Sequence, residues 1–254
     1  MASTSMTLPD VVLVTGAAGG IGACLVRRLI EAGVEVIATD LQVDAAGSSD
    51  SARWVGADLS LAKGRDAVVA AAALGRRKIG GVVQVAGIID QTDWDAISEE
   101  EIDRILSLNL KAPFLLVRAL LPLLEAEASI VLLGSIAGSR ASPKTPFYAA
   151  SKAALRNLGA SMAVALLPRG ARVNVVAPGL IDTPLTHGLN QRLAREREVT
   201  LAQVAAERAA QIPAGRPGST DEVAAACLFL LSRESSYCNG STIHPAGGVM
   251  AGSV

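Results

Sequence analysis

The chain has 254 residues, half of them apolar, with 23 basic and 24 acidic side chains and a formal net charge of −1. This length and apolar content allow one large α/β domain or two small ones. The balanced charge, without a basic block, argues against a nucleic-acid partner. Cys24, Cys227 and Cys238 have neither metal-ligand spacing nor a disulfide framework, so we expect no bound metal.

The N-terminal stretch MASTSMTLPD lacks a basic start followed by an apolar run. No apolar segment reaches the roughly 18 residues that a membrane span needs. We therefore expect a soluble cytoplasmic protein without a membrane partner.

Short apolar runs alternate with longer helical patterns along the chain. They run continuously rather than alternating with polar residues, which is typical of parallel strands buried on both faces. The predicted elements are VVLVT (11–15), a helix from about Ile21 to Ala32, VEVIAT (34–39), a polar loop over 42–53, GVVQVAG (81–87), a helix over about 99–124, SIVLLGS (129–135), a helix over about 146–167 and ARVNVVAPG (171–179).

This order predicts an α/β fold: a single-domain, Rossmann-like, doubly wound parallel β-sheet with helices on both faces. No linker or low-complexity tract marks a boundary, so we expect residues 1–254 to form one dinucleotide-binding catalytic domain.

The alternation breaks between Ile181 and Pro217, where we expect Pro184 and Gly188 to bracket a turn before a charged helix near 190–210. An insertion at this place lies at the carboxyl ends of the strands, so residues 180–217 are a candidate substrate lid. A solvated surface helix explains the charges equally well. A capping box from Ser219 to Glu222 then opens a helix to about Ser232, and STIHPA forms a final strand.

The stretch TGAAGGIG, residues 15–22, follows the first strand and opens the first helix. Gly16, Gly20 and Gly22 would permit a sharp turn and let a pyrophosphate approach backbone N–H groups at the helix N-terminus. An ordinary tight turn is the alternative, because a glycine cluster alone is a weak signal.

Asp40 ends the second predicted strand, where dinucleotide-binding folds place the acid that accepts from the ribose 2′-hydroxyl. A carboxylate there repels a 2′-phosphate, and neither Thr39 nor Leu41 supplies a cation. The expected cofactor is therefore NAD, although a strand-end turn also explains an aspartate.

Tyr148 and Lys152 lie four residues apart in FYAASKAAL (147–155), so they share one helical face about 6 Å apart. A neighbouring positive charge favours the phenolate of a tyrosine, whose ordinary pKa is near 10. Ser135, at the end of a predicted strand, can converge on this pair.

With these pieces in order, the chain resembles the short-chain dehydrogenase/reductase family from Val11 to Gly248. The matching motifs are TGAAGGIG, Asp40, the Asp58-Leu59 pair, Asn109 in SLNLKAPF, Ser135 in LLGSIAG, YAASK and PGLIDT.

The resemblance implies a hydride transfer in which Tyr148 is the general acid/base and Lys152 supports it, helped by the nicotinamide's own positive charge. Ser135 would hold the substrate oxygen, and Asn109 would support a water that links Lys152 to solvent. Thr183 would bond the nicotinamide carboxamide and Asp58 the adenine. The full implied cofactor-binding set is Gly16, Gly20, Ile21, Gly22, Asp40, Asp58, Leu59, Ala86, Gly87, Tyr148, Lys152, Pro178, Gly179, Ile181 and Thr183.

Structural roles are the alternative for several of these residues. Ser135 could be a turn hydroxyl, Asn109 a helix-interior amide bonded to backbone, and Thr183 a helix N-cap.

Two stretches depart from the family pattern. Gln84 and Val85 replace the usual asparagine pair, which puts the bracing between sheet and helix in doubt. HPAGG replaces the usual valine, aspartate and two glycines, and Pro245 predicts that the last strand ends or lies at an edge.

The expected function is NAD-dependent oxidation of a secondary alcohol, or reduction of its ketone, as a small-molecule substrate. A 3-oxoacyl thioester reductase shares every catalytic residue, and Arg140 and Arg192 keep an acyl-carrier partner open. A dinucleotide-binding regulatory protein is the non-enzyme alternative. Small residues crowd the Tyr148 helix, and with the resemblance they predict a homo-oligomer, a tetramer.

Overall fold

We analysed a computed structural model, which describes residues 6–43, 52–90, 92 and 94–251. Its centre is a seven-stranded parallel sheet in the order β3-β2-β1-β4-β5-β6-β7. The strands are β1 (Val11–Thr15), β2 (Glu35–Asp40), β3 (Ala52–Gly56), β4 (Ile79–Gln84), β5 (Leu124–Leu133), β6 (Arg172–Val176) and β7 (Thr242–Ile243). The predicted doubly wound α/β fold is confirmed.

Eight α-helices connect these strands in the described residues. They are α1 (Gly20–Glu31), α2 (Ala62–Ala73), α3 (Glu99–Leu106), α4 (Ala112–Leu120), α5 (Pro146–Leu166), α6 (Pro184–Glu196), α7 (Leu201–Ala210) and α8 (Thr220–Leu231). A π-helical turn, Ser107–Lys111, joins α3 to α4.

The sheet separates two hydrophobic cores, because its strands carry apolar side chains on both faces. Helices α2, α4 and α5 cover one face, with Val68, Leu116 and Leu155 among the buried residues. Helices α1 and α8 cover the other face, with Leu25 and Cys227 among the buried residues. This arrangement leaves the carboxyl ends of β1 and β4, where the strand order reverses, as the natural ligand crevice.

The helix predicted over 99–124 is interrupted. It divides into α3, the π-helical turn and α4, and β5 begins at Leu124, five residues before the predicted strand. The helical run Glu99–Leu123 is also long and apolar enough, by those two measures alone, to cross a membrane. Its apolar side chains Leu116 and Leu120 belong to the sheet core, as in core helices that pass the same test.

The segment after β2 differs from the prediction at its end. Residues 52 and 53 of the predicted loop belong to β3, while residues 44–51 lie outside the described part of the chain. Strand β3 and helix α2 were not placed by sequence, because short or alanine-rich segments give a weak periodic signal.

The candidate lid contains two helices instead of one. Pro184 is the first residue of α6 and Gly188 lies within it, so the turn predicted between them is wrong. The chain turns at Glu198, which has a φ of 52°, before α7 begins. Proline is favoured at the first helical position because it has no N–H to leave unpaired, and this explains the error.

The C-terminal predictions agree with the structure. Ser219 and Glu222 form a reciprocal capping box at the start of α8. Strand β7 spans only Thr242–Ile243, lies at the sheet edge and ends before Pro245.

Gln84 restores the bracing that the missing asparagine pair put in doubt. Its side chain is buried at the end of β4, where Nε2 donates to the Pro113 carbonyl of α4 at 3.3 Å. Its Oε1 accepts from Thr15 Oγ1 of β1 at 3.4 Å. The longer amide therefore still links the sheet to the covering helix.

Candidate active site

Two positions of the glycine-rich turn after β1 have no room for a side chain. Gly16 has a φ of 64°, and a Cβ there would lie 2.7 Å from Ala86 N. A Cβ on Gly22 would lie 1.9 Å from the Gly16 carbonyl oxygen. These two glycines let the turn pack against the loop after β4 and against the first turn of α1.

The N-terminus of α1 fits an anionic ligand. Its N-cap is Gly19, and within the described residues no side chain caps the helix. Backbone N–H groups at a helix N-terminus attract phosphate, and Gly19 and Gly20 line a cavity at this point. A nicotinamide dinucleotide fits this cradle, since a pyrophosphate can approach the backbone closely.

Asp40 lines the same cavity beside the glycine turn. Its Oδ2 accepts from Ala18 N at 2.9 Å and its Oδ1 from Leu41 N at 2.7 Å. The carboxylate therefore sits next to the glycine turn, where it adds negative charge to the cavity wall.

Tyr148, Ser135 and Lys152 come together at the other end of the cavity. The Ser135 hydroxyl lies close enough to the Tyr148 phenol to lower its pKa. Lys152 is buried, lies 5.6 Å from the Tyr148 ring centroid and donates from Nζ to the Leu133 carbonyl at 2.7 Å. The helical spacing of Tyr148 and Lys152 on α5 and the end of β5 bring the three groups into one wall of the cavity.

Burial dominates the acidity of this pair. Desolvation raises the pKa of Tyr148 above its ordinary value, while the Ser135 hydrogen bond opposes that rise. Desolvation lowers the pKa of Lys152 to about 8. Without cofactor, burial therefore favours the neutral phenol, because desolvation disfavours the charged form of each group. That Lys152, together with the charge of a bound nicotinamide, favours the phenolate stays a prediction.

Asn109 is fully buried in the π-helical turn. Its Oδ1 accepts from Ile88 N at 2.9 Å, and its Nδ2 donates to Ile88 O at 2.8 Å and to Ser151 Oγ at 3.1 Å. A Cβ on Gly87 would lie 3.1 Å from Asn109 Oδ1 and 3.3 Å from Lys152 Nζ. Gly87 thus keeps the space between the amide and the ammonium open.

The cavity that joins these groups has a volume of about 450 Å³. Of the residues predicted from sequence, it is lined by Gly16, Gly20, Ile21, Asp40, Asp58, Leu59, Ala86, Gly87, Ser135, Tyr148, Lys152, Pro178, Gly179, Ile181 and Thr183. Gly22 and Asn109 lie behind this wall instead of in it.

Several of these side chains also have structural roles. Ser135 Oγ accepts from Ala137 N at 3.2 Å, and Asp58 Oδ1 accepts from Ser60 N at 2.9 Å. Thr183 is the N-cap of α6, and its Oγ1 accepts from Thr186 N at 3.3 Å. The structural alternatives are therefore correct, and they hold these side chains at the cavity.

Residues that sequence reasoning missed also shape the site. Val85 and Ile88 add apolar surface to the cavity. Asp90, which is fully buried, accepts at both carboxylate oxygens from Tyr148 N at 3.2 Å. Its position shortly after the buried strand β4 could have marked Asp90 as a site residue. Its partner Tyr148, however, lies far along the chain.

Comparisons with known proteins agree with this geometry. A family model described as enoyl-(acyl carrier protein) reductase matches residues 16–250. The chain belongs to the short-chain dehydrogenase/reductase family. It is therefore an oxidoreductase of a family that binds a nicotinamide dinucleotide.

Relatives of this chain include proteins of different named activities. It is 34% identical to a 3-oxoacyl-[acyl-carrier-protein] reductase of Vibrio cholerae, covering 94% of this chain and 96% of that protein. It is 31% identical to galactitol 2-dehydrogenase of Agrobacterium fabrum, with the same coverage. A solved short chain dehydrogenase family protein of Francisella tularensis matches with a TM-score of 0.90 and 29% identity, covering 97% of this chain and 100% of that chain.

The two tyrosines of the chain allow the acidity of the phenol to be measured directly. Tyr237 is fully exposed, so Y237F leaves Tyr148 as the only tyrosine and should not disturb the fold. Without cofactor, we expect the ultraviolet absorbance of this variant to titrate with a midpoint above 10, because burial disfavours the phenolate. A midpoint at or below 10 would contradict the dominance of desolvation.

Proposed function

We propose that this protein is an NAD-dependent oxidoreductase that transfers a hydride between a secondary alcohol, or its ketone, and the nicotinamide. The observation that supports this best is that one cavity carries the glycine turn and Asp40 at one end and Tyr148, Ser135 and Lys152 at the other. A dinucleotide lying between these ends would bring its reactive ring to the phenol.

Tyr148 is the proposed general acid/base. It takes the hydroxyl proton when the alcohol is oxidised and returns a proton to the developing alkoxide when the ketone is reduced. Ser135, whose hydroxyl lies near the phenol, holds the substrate oxygen beside it. A bound nicotinamide dinucleotide would supply the hydride partner and, when oxidised, a further positive charge near the phenol.

Lys152 has two proposed tasks. In its charged form it favours the phenolate electrostatically, and it bonds the nicotinamide ribose. Its pKa of about 8 leaves it charged at neutral pH, although only narrowly. Asn109, behind this wall, supports a water that connects Lys152 to solvent.

The remaining cofactor contacts follow the family match. Thr183 bonds the nicotinamide carboxamide and Asp58 the adenine, while Asp40 accepts from the ribose 2′-hydroxyl. The other proposed contacts are Gly16, Gly20, Ile21, Gly22, Leu59, Ala86, Gly87, Pro178, Gly179 and Ile181.

The lid is proposed to be the segment 180–217, which contains α6 and α7. Leu185 of α6 lines the cavity, and Lys144 pairs with Glu196 of α6 at 3.7 Å. These contacts support a segment that covers the substrate, within a single catalytic domain of residues 1–254.

Reduction of a 3-oxoacyl thioester is the second candidate, since the Vibrio cholerae relative is named for that activity. The arginines give it little support. Arg140 is exposed, but Arg192 points inward, donating to the Asp90 carbonyl at 3.2 Å and pairing with Glu196 at 3.5 Å. We favour a free secondary alcohol, and parallel assays with secondary alcohols and a 3-oxoacyl thioester distinguish the two.

Exchange of Tyr148 for phenylalanine separates an enzyme from a dinucleotide-binding regulator. We expect Y148F to lower kcat by roughly 10²–10⁴-fold, because it removes the proton-transfer group. NADH fluorescence should show that cofactor binding persists. The matched control is Y237F, the same change at an exposed site, which should leave kcat unaltered. Equal kcat in Y148F and wild type would refute the proposed role.

Cofactor preference can be tested at Asp40. D40N keeps a hydrogen-bond acceptor for the glycine turn and removes the charge that repels a 2′-phosphate. We expect the ratio of kcat/KM for NADP to that for NAD to rise by roughly tenfold, equivalent to about 1.4 kcal/mol.

The control for D40N is D10N, which removes a negative charge at the opposite end of the sheet, next to Arg77. It should leave the ratio unchanged. A wild-type enzyme that prefers NADP would contradict the assignment outright.

We also propose that the protein is a cytoplasmic homo-oligomer, a tetramer, that pairs through α5. Of the small residues on this helix, Ala149, Gly159 and Ala163 are buried, whereas Ala150 and Ala160 remain exposed for a second helix. Sedimentation velocity at micromolar concentration should give a species of about four chains, and a monomer alone would exclude the assembly.

A further inference from the structure

The catalytic helix α5 receives its N-terminal cap from a distant part of the chain. Asp90 lies in the loop after β4, 58 residues before Tyr148. Its side chain is fully buried, and both carboxylate oxygens accept from Tyr148 N at 3.2 Å. The backbone N–H of Phe147 lies close enough to this carboxylate to lower its pKa.

Thr145, the N-cap residue of α5, does not cap the helix with its own side chain, which accepts no capping hydrogen bond in the described structure. Its hydroxyl is instead 2.6 Å from Ser142 Oγ. Pro146, the first helical residue, has no N–H to cap, and Asp90 accepts from the N–H of Tyr148 in the first turn of the helix.

Asp90 is anchored on its other side by the lid. Arg192 of α6 donates to the Asp90 carbonyl at 3.2 Å. Burial raises the pKa of Asp90 above its ordinary value, and the charge of Glu101 on α3 adds to the rise. The backbone N–H groups at the start of α5 and the positive charge of Arg192 oppose it. Glu101 in turn accepts from Thr92 Oγ1 at 2.6 Å.

Both peptide groups on either side of the catalytic tyrosine are therefore fixed. Asp90 holds the Tyr148 N–H, and Ser151 Oγ donates to the Tyr148 carbonyl at 2.7 Å. Ser151 is itself bonded to Asn109. A shift of the first turn of α5 would carry the phenol away from Ser135.

We propose that Asp90 is a positioning residue that fixes the start of α5 so that the Tyr148 phenol meets Ser135 and the substrate oxygen. This inference rests on the proposed role of Tyr148 as general acid/base. Proton transfer depends steeply on geometry, so loosening this cap costs turnover more than it costs cofactor binding.

Two substitutions of Asp90 test the proposal. D90A removes both acceptors and should lower kcat by at least tenfold, with the NAD dissociation constant changed by less than twofold. D90N keeps one acceptor oxygen and should recover part of kcat. If D90A does not fold, D90N alone tests the proposal, and we expect it to lower kcat by less than the tenfold expected of D90A.

The matched control is S219A, which removes the N-cap of α8 on the opposite face of the sheet. It should lower the thermal midpoint, as loss of a cap does, and leave kcat unaltered. Equal losses of kcat in S219A and the Asp90 variants would overturn a specific positioning role.

Amide hydrogen exchange gives a readout that needs no substrate. Exchange at residues 147 and 148 should accelerate in D90A and D90N and remain unchanged in S219A. Unchanged exchange, or a kcat within twofold of wild type in D90A, would overturn the proposal. If the wild type turns over no alcohol, ketone or thioester, the proposed function fails, while the exchange result still decides whether Asp90 anchors the helix.

Discussion

The buried ammonium group of Lys152 sets the main constraint on this structure. An amine in an apolar environment loses hydration, and its pKa of about 8 reflects that cost. A hydrogen bond from Nζ to the Leu133 carbonyl offsets part of this lost hydration. The carbonyl is available because β5 ends at Leu133. The absence of a side chain at Gly87 gives the ammonium room, since a Cβ there would lie 3.3 Å from Nζ. One cation therefore constrains three parts of the fold: the end of β5, the loop after β4 and helix α5.

Structural and proposed chemical roles fall on the same side chains in this site. Ser135 and Thr183 each accept from a backbone N–H close by, and Asn109 is bonded to the backbone of Ile88. A side chain that is fixed by its own turn has little freedom left to lose when a ligand binds. Satisfying the backbone therefore also prepares these groups for binding.

Much of the fold could be predicted from the sequence because its signals are local. The glycine turn, the continuous strands and the Ser219–Glu222 box each depend on neighbours in the chain. The turn at Glu198 between α6 and α7 could not be predicted from the sequence, because neither glycine nor proline marks it. Its residues are also as charged as those of the two helices. Pro184 misled because a proline can begin a helix as well as a turn.

The site, like the fold, could be predicted only where its signals are local in the sequence. Motif order located Tyr148, Lys152 and Ser135, but not the direction in which the phenol's pKa is moved, since burial is a property of the folded chain. Asp90 was missed for the same reason. Its partners, Tyr148 and Arg192, are 58 and 102 positions away, so its importance exists only in three dimensions.

The π-helical turn Ser107–Lys111 has a consequence for how this helix can vary. Such a turn accommodates one more residue than a regular α-helical turn, so side chains beyond it are rotated by about 100°. Asn109 faces Ile88 from inside this widened turn. Deletion of one residue here would restore a regular α-helix and improve its backbone geometry. The same deletion would rotate either the Asn109 amide or the core leucines that follow away from their positions against the sheet. An irregularity in the helix is therefore what lets one segment serve both the core and the site.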